Sequence, residues 1–132
     1  MNKQDEYVSF ETAKLARKKG FDECCNRYYI ITPNKSKGKL CITNSNLNNS
    51  EWDSYRIKNL TDNIAAPTKY ILDIWLLENY SIQITIFSYS QESWQFKITR
   101  PHEKLEDVEL YEDFTSKSEA IDNALQEALK LI

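Results

Sequence analysis

The chain reads as an α+β protein: a mainly antiparallel sheet with three helices packed mostly on one face. Two observations carry this. Ala66-Pro67-Thr68 opens a helix that runs to about Tyr80, and Ser116 opens another that runs to the chain end. Between them Ile82, Ile84 and Ile86 alternate along a strand, and Trp94, Phe96 and Ile98 alternate along its return. Alternation with period two marks a half-buried strand, whereas helices repeat their apolar residues at three and four. A length of 132 residues fits one domain over 1–132.

Each element has a local cause. Ser9 is a good N-cap for a helix over Phe10 to Lys19, because its hydroxyl can accept an orphan N–H. Gly20 stands where a left-handed residue ends such a helix, and Phe21 can fold back on Ala16. Phe10, Ala13 and Ala16 form its buried stripe. Tyr28 to Thr32 is rich in strand formers and stops at Pro33. Lys35 to Lys39 reads as a turn and Leu40 to Thr43 as the returning strand. Asn44 to Asp53, mostly Asn and Ser, reads as an exposed loop. Tyr55, Ile57 and Leu60 alternate like a short strand.

Pro67 suits the first turn of the central helix, where its missing N–H costs nothing. That helix is apolar nearly all round, so it should be largely covered. Lys69 and Asp73 mark its solvent side. In the hairpin, Ile86 opposite Trp94 sets Ile84 opposite Phe96 and Ile82 opposite Ile98. A slip of one residue would mix apolar and polar faces. Tyr89-Ser90-Gln91 is left as the loop. Glu103 to Asp113 is acidic and fits a short edge strand or ordered loop. Ser116-Lys117-Ser118-Glu119 is a capping box, followed by Ile121, Ala124, Leu125, Ala128 and Leu129 at helical spacing. Trp75, Ile84, Trp94, Ile121 and Leu125 are the predicted core.

Composition excludes several functions. Aromatic content of 12% argues against disorder, and two glycines cannot build a Gly-rich phosphate loop. A net charge of −3 weighs against generic nucleic-acid binding. Cys24, Cys25 and Cys41 are odd in number, and His102 is the lone imidazole. A zinc site would need all of them without the usual spacing, so reduced thiols and no metal are expected. No apolar segment follows Met1, and no apolar run approaches a membrane span. The expected place is the cytoplasm, without membrane attachment. Asn48-Asn49-Ser50 and Asn59-Leu60-Thr61 match glycosylation sequons, which carry no meaning without secretion. Patterns for phosphate loops, calcium loops and zinc proteases are absent. No catalytic residues and no cofactor are assigned, and the chain reads as a non-enzyme.

Several stretches occur together in a definite order. They are Tyr7-Val8-Ser9-Phe10-Glu11-Thr12-Ala13-Lys14-Leu15 and Lys19-Gly20-Phe21-Asp22-Glu23, then Ala66-Pro67-Thr68 with Trp75-Leu76. Ile82 to Ile86 and the closing Glu119-Ala120 to Ile132 complete the set. In these the chain resembles a family of small uncharacterised proteins from gut Bacteroidota, many carried by prophages or mobile elements. The resemblance implies a bacterial, intracellular protein and transfers no catalytic or ligand residue. Residues 26–65 and 99–114 depart from it.

Surfaces remain as the candidates. Phe87 lies on the polar face of the hairpin beside Thr85, Ser93 and Gln95, where an aromatic can anchor a protein partner or stack a base. Tyr28 and Tyr29, read as part of the same sheet, can widen that patch. With Lys35, Lys37 and Lys39 they also form a basic and aromatic set of the kind that holds single-stranded nucleic acid. The expected function is a small non-enzymatic interaction module, an accessory of a mobile element or phage, that binds a protein partner or itself. The alternative is a nucleic-acid-associated protein using residues 28–39.

Overall fold

Ser9 begins a helix as its position predicts. In the computed structural model, which describes residues 6–31, 39–53, 62–90, 93–100 and 109–132, α1 spans Phe10–Lys18. The Ser9 hydroxyl accepts the Thr12 N–H at 3.3 Å, satisfying one donor that a helix start leaves orphaned. Gly20 ends the helix with φ +96°, a left-handed conformation that costs other residues roughly 1–2 kcal/mol. It lets the Phe21 N–H reach the Ala16 carbonyl at 2.9 Å and its own N–H reach that of Arg17 at 3.1 Å. These two bonds define the Schellman motif, and Phe21 and Ala16 are both buried.

α1 belongs to a compact unit, Tyr7–Thr68. Its sheet places β1 (Cys25–Ile31) between β2 (Lys39–Leu47) and β3 (Asp62–Ala65), antiparallel to both. Successive residues of β1 serve opposite faces. Tyr29 meets Phe10 edge-on, with ring centroids 5.5 Å apart, and its hydroxyl donates to the Val8 carbonyl at 2.6 Å. Tyr28 turns the other way and lies on Trp52, 4.6 Å between centroids. Helices therefore cover this sheet from both sides.

Trp52 belongs to α2, described over residues 49–53, where an exposed loop was predicted. The sequence conceals a second capping box. The Asn48 side-chain oxygen accepts the Glu51 N–H at 2.9 Å, and the Glu51 carboxylate accepts the Asn48 N–H at 3.2 Å. Asp22 adds its charge to this helix start, accepting the Ser50 N–H at 2.8 Å and the Ser50 hydroxyl at 2.6 Å. Asn49 points inward. Its amide donates to the Phe21 carbonyl at 2.8 Å, and its oxygen accepts the Ala65 N–H at 2.9 Å. The predicted strand through Tyr55, Ile57 and Leu60 lies outside the described residues.

The second compact unit holds Lys69–Ile132. α3 (Lys69–Tyr80) leads into a meander of β4 (Gln83–Ser90), β5 (Ser93–Thr99) and β6 (Glu109–Phe114), with β5 central and both pairings antiparallel. The acidic segment thus supplies an edge strand at its end. α4 (Lys117–Lys130) packs across all three strands, and α3 packs on β4 and along α4. Leu72, Leu76, Ile82, Phe96, Ile98, Leu125 and Leu129 are sealed in this layer. Ala120, Ala124 and Ala128, four residues apart and fully buried, form a row of small side chains that lets α4 approach closely. The Ser116 hydroxyl accepts the Glu119 N–H at 3.1 Å, and the Glu119 carboxylate takes the Thr115 hydroxyl at 3.0 Å. Ser116→Ala should lower stability by about 1 kcal/mol, seen as a lower urea midpoint.

Four expectations from Pro67 onward change. The hairpin is shifted by two residues: Ile84 faces Ile98, Ile86 faces Phe96 and Ser88 faces Trp94. Burial fixes only the parity of a register, and a two-residue slip keeps every side chain on its face. The observed slip extends pairing to Ser90 and Ser93, so Ser90 joins β4 rather than the loop. The central helix starts at Lys69, not Pro67. The Pro67 carbonyl accepts the Val8 N–H at 3.1 Å, and Thr68 bridges to Tyr7, which holds both residues extended. Lys69 does not mark a solvent side but is buried. Trp75 and Leu125 are core residues as predicted, whereas Ile84, Trp94 and Ile121 are half-buried. Ile84 sits on an outer strand, and in α4 the buried stripe is turned one residue back, onto Ala120.

Candidate interaction surface

α3 has more apolar residues than its packing can cover. At about 100° per residue, one side carries Leu72, Trp75 and Leu76, all buried. The opposite side carries Tyr70, Ile74 and Leu77, with Ile71 at its margin, while Tyr80 ends the helix nearer the inner side. Tyr70 is 71% exposed, Leu77 44%, Tyr80 42% and Ile71 38%. Ile74 is half-buried between them. Asp73 and Glu78 are the two acidic groups on this side, and burial raises the Asp73 carboxyl above its ordinary range.

The one charged side chain on the inner side of α3 is Lys69. Its ammonium donates to the Ser118 hydroxyl and, at 3.3 Å, to the Ser118 carbonyl. These bonds offset the cost of burying a charge, while the stem fills apolar space. Trp75, on the inner side, meets the Tyr80 ring edge-on at 5.4 Å, so the exposed end of the helix is braced by a core residue.

The predicted site residues fall in different places. Phe87 is half-buried, Thr85 is exposed opposite Lys97, and Gln95, opposite Phe87, is buried. Tyr28 and Tyr29 belong to the other sheet, so they do not extend the Phe87 face. Lys39 is exposed at the start of β2; Lys35 and Lys37 lie outside the described residues, as does His102. The α3 stripe was missed. Its signal was present: in a helix apolar all round, one packed layer can hide only one side.

The thiols show no paired chemistry. Cys24 is exposed and Cys25 buried, as neighbours on an extended chain should be. Burial first, then the charge of Glu23 and the neighbouring Cys24, pushes the Cys25 thiol up to about 12. Among the described residues no three His, Cys, Asp or Glu side chains are grouped to hold a metal ion, and no helix is long and apolar enough to cross a membrane. What the α3 stripe can do is bury apolar area against another surface. No protein-family model, curated protein or solved structure matches this chain.

Proposed function

We propose that this chain is a non-enzymatic interaction module that binds a protein surface through the outer side of α3. The observation that carries this is the exposure of Tyr70, Leu77 and Ile71 on the side of α3 turned away from its buried residues. Contiguous exposed apolar side chains mark contact sites, and tyrosine is enriched where binding energy concentrates. The proposed setting is the bacterial cytoplasm, as an accessory protein of a mobile element. Free thiols support a reducing compartment, and the family resemblance supports the origin. The nucleic-acid alternative has less support, since Tyr28 packs against Trp52 with the rings tilted and Tyr29 is buried with its hydroxyl on Val8.

The test is the double variant Tyr70→Ser, Leu77→Ser. It should keep the thermal midpoint of the wild type and weaken protein association about tenfold or more, whether with itself or with another chain. Association of undiminished strength in sedimentation and capture assays would remove α3 as the contact surface.

A further inference from the structure

We propose that the partner of the α3 stripe is a cationic amphipathic helix of another protein, apolar against Tyr70, Ile74 and Leu77 and bearing lysine or arginine against Asp73 and Glu78. This rests on the reading of α3 as a contact surface and names what that surface takes.

The shape of the stripe selects a helix. From Tyr70 to Leu77 the ridge runs about 10 Å along the axis. The side of a helix has no open backbone groups with which to pair an extended segment, as a sheet edge would. A second helix brings its own backbone bonds already made and packs its side chains along such a ridge.

Charge selects the rest. At about 100° per residue, Asp73 flanks the stripe on one side and Glu78 on the other. The basic residue of α3 is Lys69, which is buried against Ser118 on the inner side. Among the described residues neither Asp73 nor Glu78 has an ion-pair partner, whereas Asp53 and Glu127 do. Asp73 is half-buried, and it is burial that raises its carboxyl. A carboxylate that loses water without gaining a cation is left uncompensated, and a lysine or arginine brought by the partner would offset that loss.

The same charges disfavour other occupants. A two-fold pairing of α3 with α3 sets acid beside acid whether the helices run parallel or antiparallel, because both flanks are acidic. An anionic lipid surface meets the same repulsion.

The experiment is fluorescence anisotropy of a labelled helical peptide of leucine, alanine and lysine, its lysines flanking one leucine stripe, titrated with the full chain. The same peptide with glutamate in place of lysine is the control. The lysine peptide should bind about tenfold or more tightly than the glutamate peptide. Asp73→Asn with Glu78→Gln should reduce that preference to about threefold or less. Glu78→Gln alone, at an exposed position, replaces the pair if the double variant alters the circular dichroism spectrum, and it too should narrow the preference. Tyr70→Ser with Leu77→Ser should weaken the lysine peptide about tenfold or more. A lysine peptide that fails to bind below the millimolar range overturns the proposal. Equal binding of the two peptides, or a preference untouched by the charge variants, overturns the cationic partner, and the α3 reading stands if the serine variants still weaken binding. Binding untouched by the serine variants overturns the α3 reading and the proposal with it. Self-association through the stripe in sedimentation equilibrium, or adsorption to phosphatidylcholine vesicles that displaces the peptide, overturns the proposal in favour of a second copy or a lipid surface.

Discussion

Asn49→Ala should destabilise the protein by about 2–4 kcal/mol, because it leaves two buried backbone groups without their partner. The Asn49 side chain is 5% exposed and bonds the Phe21 carbonyl and the Ala65 N–H at once. Alanine serves neither group, and water has poor access. The measurement is urea unfolding followed by tryptophan fluorescence, with a lower midpoint and an unchanged slope. Asn49→Asp is the informative control. Its oxygen still accepts from Ala65, but an ionised carboxylate cannot donate to the Phe21 carbonyl. Burial raises the carboxyl pKa above its unfolded value, so any recovery should appear in acid and vanish as pH rises. A loss below about 0.5 kcal/mol for Asn49→Ala would show that this amide pair is replaced by solvent.

Trp75→Ala should cost about 3–5 kcal/mol. Trp75 lies between Leu72 and Leu76 on the inner side of α3 and braces Tyr80. Its removal opens a large void in a layer where Leu72, Leu76 and Phe96 are fully buried. A midpoint unchanged by this substitution would show that α3 contributes little to its unit. Combined with Tyr70→Ser and Leu77→Ser, which should leave the midpoint alone, it separates the two sides of one helix.

Sequence chemistry foretold the elements whose cause is local. Ser9, Gly20 and Ser116 act within a few residues of themselves, and each ends or begins a helix where expected. The hairpin faces were legible because alternation is also local. Its register was not, since parity cannot tell Ile86 opposite Trp94 from Ile86 opposite Phe96. α2 was hidden by composition: Asn48 to Ser50 looks like a loop until Glu51 is seen as the other half of a cap. The division of strands into two sheets was hidden because β3 is short and pairs with a strand far away in sequence. That division separates Tyr28 and Tyr29 from Phe87. The α3 surface depends on how many layers cover the helix, a property of the assembled unit. Lys69 shows the same limit, because a buried lysine is intelligible only once Ser118 is beside it.

The first sheet also has a polymer cost that the second avoids. β4 and β5 pair through Ser90 and Ser93, so their ladder closes almost no chain, whereas Tyr28 must find Ala65. Closure entropy grows only slowly with loop length, about 0.6 kcal/mol per doubling, but it must be met before distant contacts form. Asn49 sits inside that long loop and is bonded across 28 residues on one side and 16 on the other. It divides one long closure into two shorter ones that share a single side chain. The ordering of β3 and the ordering of α2 are thereby coupled: neither segment can lose its place without loosening the other.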